Sequence, residues 1–388
     1  MNPTPKIIAD KETIEQFMYI TINGRLTPKS NEDYMKLCLL AYRFRQAVKH
    51  GINLVLRGVQ QKEAYKELAK LLPSSIYGET AYKYAKLLVE SAKEQVDDEI
   101  VVNKITIMRK WIASRGGVSW RGNLNVRLTS PDTAEILVFN HRKESRKITV
   151  NLRTPKRYKK LLERLIEKAS NREVGYPARV VIKEYNFYQG NLHLYCGLQV
   201  VVPYYLYLET MRRYDKPLGN HVGGVDVNVD RINLAIVDKY GRLRDTRTFW
   251  FRETISRGYK KRRAWTKIYQ AIHELLQYAY HHGTSTIALE NPKIIGYLRY
   301  YWIRDGDRKT KNYNYKKSIF RNKIIDTITC KAPLYSLKTI YVNPKGTTHS
   351  KAHGEVMKRY GLDRHTASAY LIALKAIKRH TTTQKAII

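Results

Sequence analysis

GGVDVNVDRINLAIVDKYGRLRDTRTFWF, residues 223–251, is the stretch from which the rest of the chain is read. Val225, Val227 and Val229 alternate with Asp226, Asn228 and Asp230, and Ile232 to Val237 is a nearly all-apolar run. Lys239 to Arg242 forms a turn around Gly241, and Leu243 to Phe251 continues beyond it. The period of two and the β-branched composition predict three consecutive strands joined by tight turns. An acid inside a strand is costly unless a cation or hydrogen-bond donor stands beside it. Asp226 is such an acid, flanked by two valines and one residue beyond a Gly-Gly pair.

Two distant acids can meet it. Glu290 closes the apolar strand Thr286 to Glu290, just before Asn291-Pro292, and Asp363 opens an apolar-periodic helix, Arg364 to Arg379. Three carboxylates on one sheet edge repel one another, and divalent cations are the usual remedy. Oxygen donors of this kind suit Mg²⁺ or Mn²⁺, the ions that promote phosphodiester hydrolysis. On that reading Asp226 bridges two ions, Glu290 holds one and Asp363 the other. Plainer readings compete: Asp363 as a helix N-cap, Glu290 as an exposed strand end. Asp226 is the hardest to explain otherwise. Asp230, Asp238, Asp305 and Asp307 fall in turns or a loop and are weaker candidates.

The 388 residues suggest two to three domains. Lys and Arg number 71 against 34 acids, a formal net charge of +37 spread along the chain. A polyphosphate backbone is the simplest partner for such a surface, with an anionic membrane surface as the rival. No apolar run is long enough to span a bilayer, and no membrane partner is expected. Cys38, Cys196 and Cys330 show no CxxC spacing, so neither a disulfide framework nor structural zinc is expected, and a reducing cytoplasm fits. The 30 tyrosines, many beside Lys or Arg, suit base stacking as well as packing.

In chain order, 1–30 reads as a loose arm and a first strand, Phe17 to Thr27, with Asn23-Gly24 as an internal turn or bulge. Residues 31–115 read as a helical lobe and 116–205 as a β-barrel with one basic helix, Thr154 to Lys168. A linker at 206–220 leads to a domain at 221–380 and a tail at 381–388. The expected class is a multidomain α/β and α+β chain. Arg257, Lys260, Lys261, Arg262 and Arg263 crowd the start of a helix that runs to His282, against its own dipole, which a phosphate backbone would relieve. Arg299, Lys309, Lys311, Lys316 and Lys317 accompany aromatics in 296–321, whose centre, Arg304 to Asn314, reads as a loop over nucleic acid.

Strand, strand, strand, helix, strand with acid, helix, strand, helix with acid is the order of an RNase H-like core. GGVDVNVDRINLAIVD, IALENPKIIGY, YVNPKGTT and YGLDRHTASAYLIALKA, in that order, resemble the RuvC-like nuclease domain of the transposon-encoded TnpB (OrfB) family, related to type V CRISPR nucleases. The resemblance covers about Leu218 to His380 and is looser upstream. It implies a metal triad on Asp226, Glu290 and Asp363, a wedge-like barrel, a recognition-like helical lobe, a guide RNA from a transposon end and a DNA target beside a short flanking motif. It further implies a prokaryotic host, and the composition is compatible with a hot-environment archaeon. Two departures stand out. The family's four-cysteine zinc ribbon has no counterpart in Thr348 to Leu362, where His349, His353 and the following His365 make a poor zinc set. Asn291 follows Glu290 where an acid is common. Two other functions compete with a guided nuclease: a nucleic-acid-binding protein that cuts weakly or not at all, and a guide-free nuclease selective for branched DNA.

Overall fold

The computed structural model describes residues 18–93, 110–140, 144–188, 191–255, 258–292, 308–348 and 350–385. They form two compact units that divide between Thr210 and Met211.

The first unit is built on a seven-stranded antiparallel sheet in the order β2-β6-β7-β1-β5-β4-β3. Its strands are β1 (Tyr19–Pro28), β2 (Lys110–Ser114), β3 (Val126–Ser130), β4 (Thr133–Phe139), β5 (Ser145–Arg153), β6 (Ala178–Tyr188) and β7 (Asn191–Pro203). Three helices, α1 (Asn31–Leu56), α2 (Gln61–Ala69) and α3 (Ser75–Lys93), lie in sequence between β1 and β2. Ser30 caps α1 by accepting from the Asp33 N–H, and Leu37, Leu40, Ala41, Phe44 and Val48 form its buried stripe. A basic helix, α4 (Lys159–Ser170), buries Leu161, Leu162 and Leu165.

Several expectations change here. The sheet is open, because among the described residues its end strands β2 and β3 are not paired with each other. Fully buried Asn123 links β2 to β3 by side-chain hydrogen bonds instead: its amide donates to the carbonyls of Ser114 and Tyr176, and its oxygen accepts from the N–H groups of Asn125 and Val126. Asn23-Gly24 is neither turn nor bulge, since β1 keeps an unbroken register with β7 through both residues. The stretch read as a linker begins inside a helix, α5 (Tyr204–Met211), because Tyr204, Leu206, Tyr207 and Leu208 are apolar enough to bury. Of the helical lobe, 94–109 lies outside the described residues.

The second unit carries a five-stranded sheet in the order β10-β9-β8-β11-β12. Its strands are β8 (His221–Val227), β9 (Arg231–Val237), β10 (Leu243–Trp250), β11 (Thr284–Glu290) and β12 (Lys338–Val342). The first three pair antiparallel, while β8, β11 and β12 run parallel. This is the RNase H-like order read from the pattern. Helices α6 (Lys261–His281), α7 (Arg308–Lys331), α8 (Lys351–Tyr360) and α9 (Arg364–Lys385) complete it. The segment read as a loop, 304–314, is helical from Arg308 onward, continuous with the apolar stripe Ile324, Ile325 and Ile328.

Alternation assigns the faces of the sheet. Val222, Ala235, Val237, Ala288 and Val342 pack against Ala369, Tyr370, Ile372, Ala373 and Ala376 of α9. The intervening Leu234, Ile236, Ile287 and Leu289 turn to the opposite face, while α6 packs on β9, β10 and β11 through buried Ile268, Ile272, Leu275 and Leu276. The seat of α9 is Gly224, where an added Cβ would stand 2.0 Å from the Ala369 carbonyl oxygen and 2.6 Å from the Ala373 nitrogen. The Gly-Gly pair thus lets a helix lie directly on strand backbone.

A buried carboxylate pair and its neighbours

Asp226 shares the parity of Gly224 on β8, and Glu290 that of Ala288 on β11, so both acids turn toward the face that α9 covers. Both are buried, with 6% and 9% of their surface exposed. Two carboxylates this close to the interior need compensation. Arg321 of α7 supplies it: its Nη2 lies 3.8 Å from Asp226 Oδ1 and 3.6 Å from Glu290 Oε2. Its Nε is buried and has no hydrogen-bond partner.

Each acid has a second, more local partner. Buried Thr347 donates its hydroxyl to Glu290 Oε1 at 2.8 Å, which assigns a task to the NPKGTT stretch. Lys375 of α9 reaches the carbonyls of Asn343 and Lys345 in the same loop. Burial pushes the Lys375 ammonium below its ordinary pKa, opposed by the negative charge of Glu290. Asp226 Oδ2 meets His365 Nδ1 at 3.0 Å and the Asn228 side-chain nitrogen at 2.9 Å.

Asp363 has a different setting. One oxygen accepts from the N–H groups of His365 and Thr366, and the other from the Thr366 hydroxyl. Burial raises its pKa, but the Thr366 hydroxyl and those two N–H groups outweigh this and hold it below the ordinary carboxylate value. Thr366 is joined in turn to buried Asn233, whose amide also donates to Thr248 of β10. Asp363 is therefore the cap of α9 and is tied through Thr366 to the sheet. The expected triad is brought together at Asp226 and Glu290, while the residue of α9 that reaches Asp226 is His365. Among the described residues no three His, Cys, Asp or Glu side chains form one metal-holding group. A divalent cation nevertheless fits the pair: both carboxylates already reach one cationic group, and oxygen with imidazole is a donor set that divalent ions accept.

Three participants were missed in the sequence. Arg321 precedes Ile324 and Ile325 by three and four residues, so a cation stands on an apolar helical stripe, which is a readable signal. Thr347 lies in a stretch already singled out. His365 was weighed only as a zinc ligand. His353, weighed beside it, is buried and contacts the Arg364 carbonyl at 2.8 Å and the Ser368 hydroxyl at 3.2 Å, holding α8 to α9.

Of the expected nucleic-acid contacts, Lys260, Arg262 and Arg263 are exposed at the start of α6, where no acid stands in the first turn and no side chain caps the helix. Lys261 lies in that helix and Lys309, Lys311, Lys316 and Lys317 in α7, with their side chains outside the described set. Arg257 and Arg299, like Asp305, Asp307 and His349, fall outside the described residues. Within the first unit, a cavity of about 350 Å³ is lined by Lys83, Tyr84, Arg115 and Arg179 among others. No helix among the described residues is long and apolar enough to cross a membrane.

The family model described as the SSO2105 N-terminal domain matches residues 19–212. Uncharacterized protein SSO2105 of Saccharolobus solfataricus is 31% identical over 373 residues, 96% of each chain. The chain belongs to the SSO2105 family. SSO2105-family relatives of higher identity include two uncharacterized proteins of Aeropyrum pernix, both 45% identical over 261 residues, 67% of this chain. Those residues span 69% of one relative and 62% of the other. Among solved structures, a Cas12f1–sgRNA–target DNA complex is similar at TM-score 0.47 and 13% identity, covering 88% of this chain and 82% of that one. Thermus thermophilus RuvC with a Holliday junction is similar at TM-score 0.30 and 14% identity, covering 42% and 97%. Both scores lie below 0.5 and decide nothing about chemistry. None of these descriptions names the transposon-encoded family that the motifs of this SSO2105-family chain resemble.

Proposed function

We propose that the second unit is a divalent-metal-dependent nuclease centre hydrolysing nucleic-acid phosphodiesters. The observation that carries this is the buried pair Asp226 and Glu290, on adjacent parallel strands of an RNase H-like sheet, both within 4 Å of one cationic group. Asp226 and Glu290 would hold the cation, which when bound supplies charge for the phosphoryl oxygens and acidity for an attacking water. Thr347 keeps Glu290 aimed, and the Arg321 guanidinium, which here lies against both carboxylates, is a group equally suited to a phosphate. Asp363 acts through its helix, fixing the turn of α9 that carries His365. The exposed cations at the start of α6 and the net charge of +37 attract the backbone.

The motif resemblance supports RNA-guided DNA cleavage of the transposon-encoded kind. The decisive experiment purifies the full chain with RNA co-expressed from its own locus and compares DNA cleavage by wild type and Asp226→Ala in Mg²⁺ and Mn²⁺. Guided cleavage lost in Asp226→Ala establishes the reading. Cleavage of branched DNA without RNA points to a structure-selective nuclease. RNA bound with no cutting by either protein points to a binding protein, a reading favoured by the Arg321 guanidinium lying against both carboxylates.

A further inference from the structure

The cavity of about 350 Å³ in the first unit has a helix for a wall and a sheet for a floor. On α3, Thr80, Lys83, Tyr84 and Leu87 recur at i, i+3, i+4 and i+7 and so share the face that lines it. A stripe at this spacing is ordinarily apolar and closes on the sheet, but two of these four side chains are a lysine and a threonine. The floor follows from strand register: Ala113 of β2 lies opposite Arg179 of β6, Arg179 opposite Gln199 of β7, and Val201 opposite Thr21 of β1. The charge of this space is one-sided. Lys83, Arg115 and Arg179 line it, and no Asp or Glu does. Glu79 pairs with Arg115 at 2.6 Å, yet the Arg115 Nε is buried and has no hydrogen-bond partner among the described residues. Among the same residues no carboxylate pairs with Lys83 or Arg179. Rings hold Arg179 instead: its guanidinium carbon stands 5.2 Å from the centroid of Tyr84 and 5.2 Å from that of Trp111, and it donates to the Tyr84 hydroxyl. The planar group is thus set in place by aromatic faces, with most of its five N–H donors left for another partner.

Three cations around one space repel one another, and an anion between them removes the repulsion. Guanidinium donors favour phosphate, to which two parallel N–H bonds can be made. Size narrows the ligand further. A water's share of liquid is about 30 Å³, so the cavity has room for on the order of ten waters, and a bare phosphate would leave most of it empty. The remaining wall is apolar, with Leu87, Pro177, Ala178 and Val201 beside the Tyr84 ring, and suits a ring system. We infer that this cavity binds a single nucleotide unit, its phosphate against Lys83, Arg115 and Arg179 and its sugar and base along the apolar wall. A cavity at the low end of small-molecule sites, roughly 300–1,000 Å³, takes one nucleotide and not a base pair. A free nucleoside monophosphate and the phosphorylated end of a strand present the same chemistry here. The site lies wholly in the first unit and is independent of the carboxylate pair and of whether that pair cuts nucleic acid.

The test titrates the full chain, freed of co-purifying nucleic acid, with AMP, UMP, adenosine and inorganic phosphate by calorimetry. An eight-nucleotide RNA carrying either a 5′-phosphate or a 5′-hydroxyl is titrated in parallel, in salt high enough to suppress contacts along its backbone. A nucleoside monophosphate is expected to bind at least about tenfold more tightly than adenosine or phosphate alone, since each of these uses half of the cavity. Arg179→Gln should weaken that binding about tenfold or more. Lys83→Gln, at an exposed helix position that does not threaten the fold, should weaken it several-fold. Lys66→Gln changes the net charge equally at an exposed position of α2 outside the cavity and should bind as wild type. Preference for the 5′-phosphate strand with no binding of AMP or UMP, lost in Lys83→Gln and kept in Lys66→Gln, supports the site and assigns it to a strand end. Binding that is equal with and without the phosphate, or equal in wild type, Lys83→Gln and Arg179→Gln, overturns the inference. So does the absence of binding by every probe.

Discussion

Gly224 of β8 and Ala369 of α9 meet backbone to backbone: a Cβ on the glycine would stand 2.0 Å from the alanine carbonyl oxygen. This approach sets how deeply α9 sits on the sheet, and so whether His365 reaches Asp226. Gly224→Ala is expected to cost at least about 1–3 kcal/mol, because the obstruction is backbone and cannot rotate away. Denaturant unfolding checks this. A change within about 0.5 kcal/mol of wild type would show that the helix seat is looser than described.

Thr347 and Glu290 give a separable effect. Thr347→Val keeps the shape but removes the donor to a buried carboxylate oxygen, at a cost of about 1–3 kcal/mol. Thr347→Ser should restore most of that loss. Equal loss in both variants would mean that the methyl group, and not the hydroxyl, is what matters.

Arg321 and a divalent ion should compensate for each other. Arg321→Gln leaves two buried carboxylates without their shared cation, so in EDTA the variant should unfold at a lower temperature than wild type, by the equivalent of about 1–3 kcal/mol. Millimolar Mn²⁺ should raise its melting temperature more than it raises that of wild type, because the ion then has no guanidinium to displace. Equal shifts in the two proteins would show that ion and guanidinium do not share the site.

Asp238 predicts an acid-side dependence. Burial pushes its carboxyl up, but the N–H of Arg242, the Arg244 guanidinium and the N–H of Tyr240 outweigh this and hold it below the ordinary value of 3.8. The unfolded chain then binds the extra proton first as pH falls. The carboxylate therefore contributes stability that is fully present above pH 3.8 and is lost as pH drops through the lower folded value. The melting-temperature gap between wild type and Asp238→Asn should be open at neutral pH and shrink below 3.8.

In the first unit, Asn123→Ala removes a fully buried amide that joins Ser114, Tyr176, Asn125 and Val126. The expected cost is about 2–5 kcal/mol, since several backbone groups lose their partner together. Thermal melts followed at β-sheet wavelengths measure it. A mild loss would mean that water replaces the amide at the open end of the sheet.

Much of the second unit was legible in the sequence. The period-two pattern of Val225, Asp226 and Val227, the apolar run Ile232 to Val237 and the closing Glu290 specify strands, and a strand fixes which face each side chain takes. The first unit was read less well. Lys110–Ser114 is too short to announce itself as an edge strand, and whether a sheet closes depends on partners far apart in the chain.

By itself the sequence determined the excess of positive charge, the alternating strands, and the presence of two acids at strand positions where burial is expensive. These are local or additive properties, settled by composition and by periodicity over a few residues. Which side chains meet those acids was decided only by the tertiary structure. His365 reaches Asp226 across 139 positions because a Gly-Gly pair admits α9 onto β8, and Arg321 arrives from another helix altogether. Residues that distant converge through crossover connections and helix seating, quantities that no local period encodes.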